Sequence, residues 1–319
     1  MKKVIAIISG VILIIVSFVS LKLLDKSQTL GNEKSLILKV WHIDTCEGGK
    51  GSRYNFLREE GSAFTKKNKG VYLLIINHTI ESAKNALFEG KIPDLISYGS
   101  CGIDLTSYAK EIKFNVSDGG IVNGKRFAVS YLRGGYFAIK KGTGENLILS
   151  KNTYTTPEIA CLFNEVYGNY IIKTPLDAYT YFLQRENATL IGTQRDVFRL
   201  RSRGVDFTAT PITKYSDLYQ YISLTTKDEN KEFYALKFIS HLLSDKVQEK
   251  VKNLGMFSVT KNNLYSDDEL FSNFEKVSLS YTLTPFAEDS AFNLLCERAI
   301  SSLDKKESVD SVLNFLKYL

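Results

Sequence analysis

The chain has 319 residues, of which 44% are apolar, 24% charged and 12% aromatic, too much core-forming side chain for a collagen-like or disordered polymer. Its net charge of +6 is half local, because Lys2, Lys3, Lys22 and Lys26 against Asp25 leave +3 within the first 30 residues. The rest is thinly spread, which argues against nucleic acid, and three histidines with four scattered cysteines argue against a zinc site.

Lys2 and Lys3 precede eighteen residues, 4–21, broken only by Ser9, Gly10, Ser17 and Ser20. Lysines before an apolar run have the layout of a signal peptide or an uncleaved signal anchor spanning residues 1–24. No small-x-small cleavage triplet follows clearly, and no cysteine ends the run. Either form places the chain beyond a polar linker at 25–34 outside the cytoplasm, at the extracellular face of the membrane or secreted, where disulfides are permitted.

Short β-rich runs and helical patterns then alternate: strand 36–41, helix 53–67, strand 71–76, helix 80–88 and strand 94–98. Runs such as 71–76 are almost entirely apolar, as in a parallel sheet covered on both faces. Ligands bind such sheets at the carboxyl ends of the strands. Residues 125–132 and 136–139 read as a hairpin about the turn 133–135. Helices are expected at 157–167 and 175–185, and a strand at 188–191 leads into a helix at 195–203. Extended segments at 207–211 and 221–225 precede five helices: 231–243, 246–253, 267–274, 286–303 and 308–319. Ala235, Phe238, Ile239, Leu242 and Leu243 form one apolar stripe.

Three stretches, in order, resemble a known family. The first is Leu38-Lys-Val-Trp41 with a helix ending Ala63-Phe64-Thr-Lys-Lys67. The second is Leu87-Phe-Glu-Gly90-Lys-Ile-Pro93-Asp94-Leu-Ile96. The third is the helix pair from Ala235 to Gln248, continued by Leu254-Gly255-Met256-Phe257. Together they resemble the extracellular solute-binding proteins of ABC importers, within the large carbohydrate-binding group. The chain departs from that pattern in being shorter between about 140 and 210 and in lacking a lipobox cysteine.

The resemblance implies an α/β protein with a two-lobe, type 2 periplasmic-binding-protein-like fold and an interlobe cleft. Lobe 1 would comprise 35–112 and 210–262; lobe 2 would comprise 113–209 and 263–319. It further implies a monomer without cofactor or metal that binds a carbohydrate and meets ABC permease subunits. The same fold also suits a ligand sensor for a membrane kinase, and an exported glycan-acting enzyme is the alternative of another class.

A sugar cleft needs a flat apolar surface for the ring and fixed polar groups for the hydroxyls. Trp41, the sole tryptophan, ends the first strand, with His42, Asp44 and Glu47 following and Arg53 opening the next helix. Tyr98 and Ser100 end the third strand, Tyr131, Arg133 and Tyr136 lie in and beside the hinge hairpin expected at 125–139, and Thr193, Gln194 and Arg195 start a helix. Trp41 and the tyrosines equally suit core, His42 equally suits a structural role, and Arg195 has Asp196 or Glu186 as surface partners. On the implied fold the disulfides would be Cys46–Cys101 at one sheet edge and Cys161–Cys296 within lobe 2. Catalytic patterns are weaker: Glu59-Glu60 reads as an exposed pair, residues 48–52 lack Walker spacing, and 97–100 is no nucleophile elbow.

Overall fold

The computed structural model describes residues 35–45, 48–116, 119–276 and 281–316. Its first half begins β1 (Leu36–Ile43), α1 (Arg53–Lys67), β2 (Val71–His78), α2 (Ile80–Phe88) and β3 (Leu95–Tyr98). Then come β4 (Ile121–Val122), β5 (Lys125–Arg126), β6 (Val129–Arg133), β7 (Tyr136–Lys141) and β8 (Asn146–Ser150). These are followed by α3 (Pro157–Phe163), β9 (Tyr170–Lys173), α4 (Pro175–Leu183), β10 (Ala188–Thr193) and α5 (Gln194–Ser202). The remainder is β11 (Thr208–Pro211), β12 (Tyr219–Leu224), α6 (Glu229–Leu242), α7 (Asp245–Gln248), a 3-10 turn (Glu249–Leu254), α8 (Glu269–Glu275), α9 (Asp289–Asp304) and α10 (Asp310–Leu316).

Among the described residues these strands form two five-stranded sheets and a small hairpin, β4–β5. The first sheet has the order β2-β1-β3-β12-β6, with β2, β1 and β3 parallel and β12 antiparallel to both of its neighbours, β3 and β6. The second has the order β11-β7-β10-β8-β9, parallel across β10-β8-β9 and antiparallel at β7 and β11. In each sheet one strand next to the edge, β12 or β7, is reversed against the rest, a mixed arrangement common in large sheets.

Local sequence explains the covering helices. Ser52 caps α1 by accepting from the Asn55 N–H at 3.2 Å, and Lys66 and Lys67 complement the dipole at its far end. Its Phe56, Leu57 and Phe64 enter the core of the first sheet, where Phe64 meets Phe238 edge-on at 5.3 Å. Asp228 caps α6, whose stripe Ala235, Phe238, Ile239 and Leu242 is buried as its spacing requires. Glu60, expected on an exposed face, is instead buried and bound by His241 Nε2 at 3.0 Å and Lys250 Nζ at 2.5 Å.

The expected 125–139 hairpin does not form. β6 pairs with β12 in the first sheet, whereas β7 pairs with β10 and β11 in the second, so the chain crosses between sheets at Gly134-Gly135. Close packing fixes that crossing: the Gly135 N–H donates to Gln194 Oε1 at 3.0 Å, and a Cβ on Gly135 would lie 2.2 Å from the Phe274 ring. β6 therefore belongs to the first sheet, although it falls beyond the expected division at residue 113. Strands β8 and β9 are additions to the sequence expectation.

Both expected bridges, Cys46–Cys101 and Cys161–Cys296, are corrected: Cys101, Cys161 and Cys296 are all buried free thiols. Cys296 is engaged by the Glu158 and Lys151 side chains, and burial pushes its thiol up to about 12. Cys46 lies outside the described residues, as do residues 1–34 with the expected anchor. Among the described residues no helix is long and apolar enough to cross a membrane.

Candidate functional site between the two sheets

The carboxyl ends of β1 and β3 open onto a cavity of about 310 Å3. On that side it is lined by Asp44 and Thr45 after β1, Arg53 and Ile80 at the starts of α1 and α2, and Ser100 after β3. The facing wall comes from the second sheet: Asn152, Thr153 and Tyr154 after β8, Pro175 opening α4, and Arg195 in the first turn of α5. The cleft is thus built from strand and helix ends of both units, where a parallel sheet presents ligands.

Its cations are held by acceptors of the first unit. Arg53 Nη2 donates to the Thr45 carbonyl at 2.5 Å and to Asp44 Oδ1 at 3.3 Å, and the residue is only 7% exposed. Arg195 Nε donates across the cleft to the Gly49 carbonyl at 2.5 Å. Thr45 Oγ1 accepts from the Gly99 N–H at 3.0 Å, tying the loops after β1 and β3 together. The rim at Asn152–Tyr154 is anchored below by Thr156, whose N–H and hydroxyl donate to Asp217 Oδ2 at 2.9 and 2.7 Å. Burial raises the Asp217 carboxyl to about 6, against the hydrogen bonds of Thr156 and Tyr136.

Of the residues singled out from sequence, Arg53, Ser100, Arg195 and the accompanying Asp44 line this cavity. Glu47 lies outside the described residues. The aromatic candidates are elsewhere. Trp41 is 6% exposed, packed in a core with Ile43, Leu87 and Tyr98, its ring 4.4 Å from that of His78. His42 is buried with Nδ1 3.2 Å from Ser97 Oγ, and burial, then the Arg53 charge, hold it neutral with a pKa of about 3. Tyr131 bonds the same Ser97 hydroxyl at 2.8 Å, and Tyr98 bonds Ser223 Oγ at 2.7 Å. The Tyr136 hydroxyl accepts from the Thr156 N–H at 3.0 Å beneath the rim. Thr193 forms a capping box with Asp196 at the start of α5. Arg133 lies 5.0 Å over the Phe274 ring and donates to the Glu275 carbonyl at 3.2 Å.

The reason is the length of β1. It runs to Ile43, two residues past the expected end, so Trp41 and His42 remain on the two covered faces of a sheet and the first lining residue is Asp44. Sequence reasoning missed Thr45, Ile80, Asn152, Thr153, Tyr154 and Pro175. For residues 152–154 the signal was the apolar run 147–149 ending in a polar loop before Pro157, a strand–loop–helix pattern like that of β1.

No protein-family model matches the chain, and no curated protein matches it by sequence. Solved structures do. A maltose/maltodextrin-binding domain of Bdellovibrio bacteriovorus, bound to maltotriose, is 14% identical over 89% of this chain and 99% of its own, with a TM-score of 0.54. The sugar-binding protein MalE of Xanthomonas citri is 12% identical over 88% of this chain and 96% of its own, at a TM-score of 0.59. The GacH receptor of Streptomyces glaucescens, known with acarbose, is 14% identical over 90% and 98%, at 0.57. This chain has their fold. It is a two-lobe α/β architecture shared with these sugar-binding proteins.

Proposed function

We propose that the protein is an exported solute-binding protein that takes a carbohydrate into the cleft between its lobes and delivers it to an ABC permease, without chemical turnover. The observation that carries this reading is the cavity walled by strand and helix ends of both sheets, polar in most of its lining, with the Arg195–Gly49 bond joining its two sides. The sheets suggest lobes that follow the expected division except at β6, which pairs in the first sheet, and at β11, which pairs in the second. Ligand contact with both lobes stabilises the closed arrangement by its differential affinity for it.

A glycan hydrolase needs two carboxylates flanking the bond. Among the described lining residues Asp44 is the one carboxylate, and it is turned to Arg53. The lysines and apolar run at 2–21 support export, with the chain tethered or released. Calorimetric titration with mono- to tetrasaccharides, neutral and acidic, tests the reading. Binding of a sugar that is recovered unchanged, weakened about tenfold or more in Arg195→Ala, is the expected result. Turnover of the glycan, or no binding across the panel, refutes it.

A further inference from the structure

On the far side of Tyr154 lies a second cavity, about 720 Å3 in volume. A hydrogen-bonded bridge joins the linings of the two cavities. Lys84 Nζ, on α2, donates to Asp289 Oδ2 at 2.6 Å and to the Tyr154 hydroxyl at 3.3 Å, and that hydroxyl donates to Asp289 Oδ1 at 2.5 Å. Tyr154 lines the first cavity, while Lys84 and Asp289 line the second. The Gly102 backbone runs directly beneath with φ +66°, and a Cβ there would lie 2.0 Å from Asp289 Oδ1.

The two cavities differ in chemistry. The cleft sets Ile80, Pro175 and one aromatic, Tyr154, among hydroxyl and charged groups, whereas the second carries Leu87, Phe88, Ile103 and Tyr108 within a polar rim that includes Lys84, Asp104, Glu288 and Asp289. Phe88 is 93% exposed, a large apolar ring left open to water next to a cavity. An apolar plane with a polar rim is the surface a pyranose face requires. Alone, the cleft lies at the lower end of the roughly 300–1,000 Å3 typical of small-ligand pockets, and the two together reach the upper end.

We infer that the second cavity is an extension subsite of the cleft, and that the Lys84–Tyr154–Asp289 bridge is a partition displaced when the bound glycan is long enough to cross it. The inference rests on the carbohydrate reading above. Lys84 and Asp289 are partly exposed, with side chains 33% and 53% accessible, so their pairing is weak enough for sugar hydroxyls to replace. Because Lys84 stands on the first unit and Tyr154 on the second, the partition also parts whenever the lobes open.

The test uses the full chain and two series of gluco-oligosaccharides, α-1,4- and β-1,4-linked, of two to four units. Affinity is expected to rise with length in the preferred series. Phe88→Ala, at a position too exposed to disturb folding, should weaken the tetrasaccharide about tenfold and leave the disaccharide unchanged. Asp289→Asn should favour the tetrasaccharide over the disaccharide relative to the native protein. Oligosaccharides that bind with no dependence on length or on Phe88 overturn the extension subsite while the sugar-binding reading stands. A tetrasaccharide complex whose crystal structure keeps the bridge intact overturns it too. A chain that binds neither series, nor any sugar of the wider panel, overturns both.

Discussion

Replacing Asp217 with Asn removes a buried charge while keeping an oxygen to accept from Thr156. The native carboxyl titrates at about 6 instead of the ordinary 3.8, because burial penalises its ionised form and Glu158 adds to that penalty. A raised carboxyl contributes stability that is full below the unfolded value and is lost as pH rises through the folded one. The difference corresponds to about 3 kcal/mol, most of it gained between neutral pH and about pH 4. His42 acts in the opposite sense. Its pKa falls from 6.5 to about 3, so its contribution, about 5 kcal/mol, is complete above 6.5 and is lost toward pH 3. Across the shared window each changes stability by about 1.4 kcal/mol per pH unit with opposite sign, and in the native protein they largely cancel. Urea unfolding of the native protein and Asp217→Asn, followed by Trp41 emission from neutral pH to about pH 4, separates them. The variant should lose stability steadily on acidification, and its advantage over the native protein should shrink by about 2–3 kcal/mol. Parallel curves for the two proteins would show that Asp217 is not the titrating group.

Further consequences follow from the same interior. Lys151→Met leaves the fully buried Glu158 without its partner at 2.5 Å, and should destabilise by about 3–5 kcal/mol in chemical denaturation, with Lys151→Met/Glu158→Gln recovering much of the loss. Trp41→Ala should cost about 3–5 kcal/mol of stability while ligand affinity, measured calorimetrically below the unfolding transition, stays within twofold of native. Cys101 and Cys296, both pushed up to about 12 by burial, should resist alkylation at neutral pH and react only after denaturation, as peptide mapping of the labelled protein will show.

Helices and central strands were legible because their signals are local. Ser52 and Asp228 mark helix starts, the α6 stripe keeps its period, and the unbroken apolar run of β2 announces a sheet packed between helices. The two-lobe architecture was legible only through the order of three short stretches. Arg53, Ser100 and Arg195 reached the cleft because each sits where a strand or helix ends, a place sequence can mark to within a residue or two. Trp41, His42, Tyr98, Tyr131 and Tyr136 did not, for the same reason seen from the other side. Strand length is set by pairing, and β1 pairs with β2 as far as Ile43–His78, so two more residues stay inside the sheet. The chain crossing at Gly134-Gly135 was likewise invisible, since a tight turn and a passage between sheets use the same glycines and only the strands on either side decide which forms. The free thiols of Cys161 and Cys296 and the Lys84–Tyr154–Asp289 bridge depend on which side chains meet across α3, α2 and α9. Local propensity marks where the elements lie, whereas their lengths and the meeting of residues far apart in the chain are fixed by pairing and packing.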